Sequence, residues 1–258
     1  MKKAFLIYPE HCIGCRACQV ACKQWNQLPA ELTTNKGSYE NPPKLSFHTY
    51  TRIKFKELKT SQKIQWLFLK EQCHHCTDAT CMLVCPETEA IVRTKEGAVV
   101  LNPDKCIGCM HCVNACPFGI PQFDPNTKKV SKCHFCHDRI AMGLEPACSK
   151  VCPTGAITYG DRNTLIKHAR LSGYQSIYGE RELGGMNVMY ALPNPPQTYG
   201  LPVHPQIPRG FFWREKVLKP LLGIGGGIAL LGILLRYLYR RKQPINPPNP
   251  DKPEPKRF

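Results

Sequence analysis

Sixteen cysteines fall into four runs, and two of the runs repeat one spacing. Cys12, Cys15, Cys18 and Cys22 read C-x2-C-x2-C-x3-C; Cys106, Cys109, Cys112 and Cys116 read it again, followed by Pro117. Cys73, Cys76, Cys81 and Cys85 widen the middle gap to four residues before Pro86, and Cys133, Cys136, Cys148 and Cys152 widen it to eleven before Pro153. Three thiolates within seven residues close around one compact inorganic core, while the fourth points to a neighbouring one, which is how cubane iron–sulfur clusters are held. At four thiolates per cubane, the sixteen cysteines fill four [4Fe–4S] clusters with none left over. A row of such centres is a wire for single electrons.

Two other uses of cysteine compete with this reading. C-x2-C-x2-C places three sulfurs too close together for separate bridges to distant partners, which argues against a disulfide framework. Paired C-x2-C knuckles bind structural zinc, and zinc knuckles on a basic chain would make a nucleic-acid-binding module. A third cysteine at the next step is unusual for zinc and expected for a cluster, so no nucleic-acid partner is expected. His74, His75, His111, His134 and His137 lie in or beside the cysteine runs. Sixteen cysteines already saturate four cubanes, which leaves these imidazoles supporting roles.

The chain has 258 residues and a net charge of +16, from 35 Lys+Arg against 19 Asp+Glu. Such a balance resembles a polyanion binder, but the cofactors offset it: each cubane with four thiolates carries about −2, hence roughly −8 for four. Arg16, Lys23, Lys105 and Lys132 adjoin cluster cysteines and are candidates for that compensation, with solvated surface as the alternative. With 24 prolines and 19 glycines, the head is expected to be loop-rich and to depend on its metal for folding. Trp25 and Trp66 read as packing residues rather than electron relays.

The elements that must position these ligands repeat as well. Ala4–Tyr8 and Ala98–Leu101 read as short strands, each just before a cysteine run, and Pro153–Ile157 reads as a turn leading into a strand through Tyr159. Strand, cluster loop, short helix, strand is the plan of a two-cluster ferredoxin. The fold class is therefore α+β: two ferredoxin-like modules, one inserted in the other, carrying four cubanes. One module is 1–30 with 130–172 and the other 45–129, making a head of 1–172. Thr49–Phe55 and Ile64–Leu69 read as a hairpin adding an edge to a module, with a turn at Lys59–Gln62. Asp161 is placed to N-cap a helix with Leu165, Ile166 and Ala169 on one face. Residues 173–210, rich in Pro, Gly and Tyr, read as an extended arm over a surface.

Composition then changes. Pro220–Leu235 is sixteen residues without a charge, extended past Arg236 by Tyr237–Tyr239. That length suits one C-terminal transmembrane helix, 211–240 with its flanks, in a lipid bilayer. Phe211, Phe212, Trp213, Tyr237 and Tyr239 suit interfacial belts, and Arg236 can snorkel. Gly223 and Gly227 form a G-x-x-x-G step that permits close packing with a partner helix. The tail 241–258 is Pro-rich and charged, and is expected to be disordered. Four cations after the span against three before it lean towards a cytoplasmic tail and a head on the periplasmic, outer side of a single-pass cell-membrane protein. Met1-Lys2-Lys3 leads into too short an apolar run for a secretory signal, so export is expected to rely on a partner that carries one.

Taken together, these residues resemble the iron–sulfur (beta) subunit of membrane-bound formate dehydrogenase, within the wider family of four-cluster electron-transfer subunits of molybdopterin oxidoreductases. The likeness rests on the run from Cys12 to Cys22 with Trp25-Asn26, on Cys106-Ile107-Gly108-Cys109 with Cys116-Pro117-Phe118, and on Glu145-Pro146-Ala147-Cys148 with Cys152-Pro153-Thr154-Gly155-Ala156-Ile157. More particular are Gly184-Gly185-Met186-Asn187-Val188-Met189-Tyr190, Gly200-Leu201-Pro202 and Lys219-Pro220 opening the span.

The resemblance implies four ligand sets: Cys12, Cys15, Cys18 and Cys152; Cys22, Cys133, Cys136 and Cys148; Cys73, Cys76, Cys81 and Cys116; Cys85, Cys106, Cys109 and Cys112. It implies a non-catalytic chain that passes electrons from a molybdenum or tungsten pterin subunit oxidising formate to a membrane cytochrome b or quinone-reducing subunit. Backbone N–H groups around Ile13-Gly14 and Ile107-Gly108 are expected to donate to sulfur. The alternatives are the same wire in a hydrogenase or in a sulfur- or nitrogen-oxide reductase and, in another class, the zinc-stabilised nucleic-acid-binding module.

Overall fold

The computed structural model describes residues 2–59, 64–207 and 234–235. The chain divides into two units, Met1–Pro208 and Arg209–Phe258, and the account below concerns the first.

Its architecture is mixed α and β. Strand β1 (Lys3–Ile7) leads through the first cysteine loop into helix α1 (Ala17–Trp25). A long hairpin follows, β2 (Arg52–Lys59) with β3 (Ile64–Glu71). Helix α2 (Thr80–Leu83), strands β4 (Ile91–Arg93) and β5 (Val99–Leu101), helix α3 (His111–Ala115) and strands β6 (Gln122–Asp124) and β7 (Lys129–Ser131) come next. Helices α4 (His137–Ala141) and α5 (Ala147–Lys150) precede strand β8 (Ile157–Asp161) and helix α6 (Arg162–Leu171). Strands β9 (Ile177–Tyr178) and β10 (Val188–Ala191) close the series.

One four-stranded sheet, in the order β8-β1-β10-β9, organises the unit. Strand β1 is antiparallel to β8, with Phe5 opposite Tyr159, and parallel to β10, with Phe5 opposite Val188. Side chains alternate across it. Ala4, Leu6 and Tyr8 pack with Met189 and Ala191 against Ile166 and Ala169 of α6. Phe5, Ile7, Val188 and Tyr190 face the cysteine loops with Phe135. The Asp161 carboxylate caps α6 by accepting from the Thr164 N–H at 3.1 Å.

Two sequence expectations are corrected. The β2–β3 hairpin extends no larger sheet; its strands pair only with each other. It lies over the first cysteine loop, with Phe55 and Phe68 beside Gly14. Nor are residues 173–207 an arm over a surface: β10 is an inner, fully buried strand of the main sheet. An inner strand covered on both faces needs no polar alternation, and Val188-Met189-Tyr190-Ala191-Leu192 shows none.

The expected membrane helix with Gly223 and Gly227, and the tail, lie outside the described residues apart from Leu234 and Leu235, which are helical. No helix among the described residues is long and apolar enough to cross a membrane.

Candidate metal centres

Two of the cysteine loops share one conformation. Gly14 and Gly108 both have positive φ (67° and 69°), as do Arg16 and Met110 (62° and 60°), which start α1 and α3. The left-handed backbone reverses the direction of the loop, so that consecutive sulfurs converge. Helices of four or five residues are too short to stand alone. Here α2 packs on α3, and the four-residue α5 on the nine-residue α1, and every helix in these pairs carries cysteine.

All sixteen thiols are free of disulfides, and they gather in four groups. The first is Cys12, Cys15, Cys18 and Cys152, which line one pocket with Ile7 and Lys70. In the second, Cys22 has Cys133, Cys148 and Cys136 as its electrostatic neighbours. The third, Cys73, Cys76, Cys81 and Cys116, lines a second pocket with His74 and Lys132. In the fourth, Cys112 has Cys106, Cys109 and Cys85 around it. Every run thus gives sulfurs to two groups: Cys22 leaves the first run for the second group, and Cys152 returns from the last run to the first.

The groups form a row. Cys18 of the first group neighbours Cys148 of the second, Cys133 of the second neighbours Cys73 of the third, and Cys81 of the third neighbours Cys112 of the fourth.

Burial dominates the acid–base chemistry. It pushes the Cys18 thiol up to about 12, with Lys70 pulling the other way and the neighbouring thiols adding to the rise. Cys112 is likewise pushed up to about 12 by burial and the surrounding sulfurs. Thiolates crowded in an apolar pocket are unfavourable unless a cation takes up their charge, so these groups are built for metal. The sulfurs also accept backbone N–H groups: Gly14 to Cys12, Phe118 and Ile120 to Cys116, Phe135 to Cys133, and Ala147 to Cys136. Asn26 adds a side-chain donor 3.7 Å from the Cys22 sulfur.

This donor set fits a cubane better than single zinc ions. One zinc ion draws four sulfurs to about 2.3 Å and leaves no void among them. Among the described residues no three cysteine, histidine or carboxylate groups converge closely enough to hold a single ion.

The histidines support the sites. His75 is fully buried and its Nδ1 accepts from the Val99 N–H at 2.9 Å. His74 stacks on Phe118 at 3.9 Å between ring centres, and burial pushes it down to about 3, so it stays neutral. His134 bonds to the Asn26 side chain. Trp25 donates to Asp138 at 2.7 Å beneath the Arg139 guanidinium, and Trp66 packs on Tyr39, both in packing roles.

The cations near the cysteines separate into two kinds. Lys23 bonds the Pro29 and His48 carbonyls, Lys105 pairs with Glu89 at 3.3 Å on the surface, and Arg16 lies over the Phe55 ring. Lys132, by contrast, is 5% exposed, and Lys70, which sequence reasoning missed, is 2% exposed. Nothing in the sequence around Lys70 marks it: Lys70-Glu71-Gln72 reads as the polar end of a strand.

Two family models, each described as a 4Fe-4S dicluster domain, match residues 11–90 and 64–162. The formate dehydrogenase-O iron–sulfur subunit of Escherichia coli is 36% identical over 91% of this chain and 82% of its own. The formate dehydrogenase iron–sulfur subunit of Haemophilus influenzae is 39% identical over 88% of this chain and 77% of its own. The B subunit of polysulfide reductase from Wolinella succinogenes is 34% identical over 75% of this chain and 95% of its own. With these matches and sixteen thiols in four groups, the chain carries four [4Fe–4S] clusters and serves as the non-catalytic, electron-transferring part of an oxidoreductase complex. It belongs to the family of formate dehydrogenase iron–sulfur subunits.

Proposed function

We propose that this chain relays electrons, one at a time, from a molybdenum or tungsten pterin subunit that oxidises formate to a cytochrome b or other quinone-reducing subunit in the cell membrane. When bound, [4Fe–4S] clusters supply one-electron redox centres. The ligand sets are the four groups in order: Cys12, Cys15, Cys18 and Cys152; Cys22, Cys133, Cys136 and Cys148; Cys73, Cys76, Cys81 and Cys116; Cys85, Cys106, Cys109 and Cys112. The observation that carries the proposal is the succession of these groups, each with a thiol beside a thiol of the next. The protein's own work is to seat the sulfurs, donate N–H groups to them and exclude water. No side chain is required to move a proton.

Formate is favoured over a sulfur compound by the extent of the likeness. The Escherichia coli and Haemophilus influenzae formate dehydrogenase subunits are 36–39% identical over 88–91% of the chain, against 34% over 75% for the polysulfide reductase subunit, although two shorter formate dehydrogenase beta subunits also match only 77%. Two modules, 1–30 with 130–172 and 45–129, make up the head in this reading, with 177–191 completing the first module's sheet. The uncharged segment Pro220–Leu235 supports a single membrane helix packed on a partner through Gly223 and Gly227, with the head on the outer side.

Purifying the native complex tests the reading. It should contain a pterin-bearing large subunit and reduce a quinone on addition of formate. A complex that reduces quinone with hydrogen but not with formate, or one that transfers electrons only to polysulfide, would replace formate with another substrate.

A further inference from the structure

Two buried lysines stand between the cysteine groups without a carboxylate partner. Lys70 comes from β3, and its ammonium donates to Thr51 Oγ1 at 2.8 Å and to Gln72 Oε1. It lines the first pocket, and its electrostatic neighbours are Cys18 of the first group and Cys148, Cys133 and Cys22 of the second. Tyr190 of β10 pins the same residue by donating to the Lys70 carbonyl at 2.7 Å. Lys132 follows β7 and donates to the Val99 carbonyl and, at 3.2 Å, to the Cys133 carbonyl. It lines the second pocket, beside Cys73 and Cys81 of the third group and Cys133 of the second. The lysine ion pairs among the described residues are those of Lys23, Lys54 and Lys105, all more exposed.

A buried ammonium with only neutral oxygens around it is expensive to keep. A surface role explains neither its burial nor its place. An anion of fixed position between the groups does, and the cluster with its thiolates is that anion. Adding one electron from a reductant such as dithionite takes it from about −2 to about −3 without needing a proton. A nearby fixed positive charge therefore favours the reduced state.

We propose that Lys70 and Lys132 are built-in counter-charges that raise the reduction potentials of the clusters on either side of them, Lys70 for the first and second groups and Lys132 for the second and third. Neither lysine is among the groups that act most strongly on Cys112 or Cys85 of the fourth group, which is the built-in control. The inference rests on the ligand sets proposed above.

An air-free redox titration of the purified holoprotein, followed by paramagnetic resonance and iron analysis, tests it. In Lys70→Gln, two of the four reduction steps are expected to fall by a factor of ten or more in the reduced-to-oxidised ratio at fixed potential, about 59 mV. In Lys132→Gln two steps should fall, one of them shared with Lys70→Gln, and one step should move in neither variant. Lys70→Arg, which keeps the charge, should restore the wild-type steps. Gln72→Glu sets a carboxylate against the ammonium at nearly constant volume and should act as Lys70→Gln does. Full iron with unmoved steps in Lys70→Gln and Gln72→Glu would overturn the Lys70 half, and full iron with unmoved steps in Lys132→Gln the Lys132 half. Should Lys70→Gln and Gln72→Glu lose iron while Lys70→Arg keeps it, the charge is still shown to be what matters. Loss of iron from all three would overturn the proposal in favour of shape. Low iron or bound zinc in the wild type is a separate result, and it counts against the ligand sets themselves.

Discussion

A methyl group on Gly108 would sit 2.2 Å from the Lys128 carbonyl oxygen, and the backbone there is left-handed. Gly108→Ala should cost at least about 1–3 kcal/mol from the backbone conformation alone. About four iron atoms per chain should be lost from the fourth group, read by metal analysis and a lowered Tm. Gly14→Ala is the contrast, because the atoms nearest its new carbon are ring atoms of Phe68 and Phe55 at 3.1–3.3 Å. It should keep its iron better than Gly108→Ala does. The glycines were legible in the sequence because Cys-Ile-Gly-Cys occurs twice in it. Lys132 was legible through its neighbour Cys133. Lys70 was not, because a lysine near the end of a strand ordinarily faces water, and only packing beneath β10 places it among sulfurs.

At the scale of elements, the main sheet sets the order of dependence. Truncation after Ser172 removes β9 and β10, and with them the inner strand that pairs with β1. The truncated protein should be insoluble or iron-free when produced, because Phe5, Ile7 and Leu6 lose the face they pack against. A soluble, fully iron-loaded 1–172 fragment would contradict the sheet described. Strands β1 and β8 of this sheet, and β5 outside it, could be read as short apolar runs beside a cysteine run or its following turn, whereas β10 lies in a Pro-, Gly- and Tyr-rich stretch with no cysteine run next to it. The loop after α1 depends on a local device. Glu31 accepts from Ser46 Oγ at 2.5 Å and from Thr49 Oγ1, and lies 3.7 Å from the Lys23 ammonium. Burial raises its pKa, but these donors outweigh it and leave the carboxyl below the usual value of 4.5. Its contribution is therefore full above the unfolded value and is lost as pH falls through the folded one. Glu31→Gln should weaken the loop by about 1–3 kcal/mol at pH 7. Amide exchange over residues 28–50 should accelerate in that variant, and should accelerate in the wild type as pH falls below about 4, after correction for the intrinsic rate.

At the scale of the whole molecule, charge and metal govern the account. A net charge of +16 is about half offset by four clusters of roughly −2 each, and among the described residues the two most buried lysines form no carboxylate pair and sit beside cysteine sulfurs. Removing the iron with a chelator and an oxidant should unfold the head cooperatively rather than leave a stable empty scaffold. Circular dichroism should follow the iron content. Deletion after Gly210 should make the head extractable without detergent while it still binds its catalytic partner. Tight membrane association of that fragment alone would argue against a single-helix anchor. The most direct test of the central claim is the iron and acid-labile sulfide content of the anaerobically purified protein. The account predicts about sixteen of each per chain and paramagnetic signals after dithionite; a colourless protein holding about four zinc ions and no sulfide would contradict it.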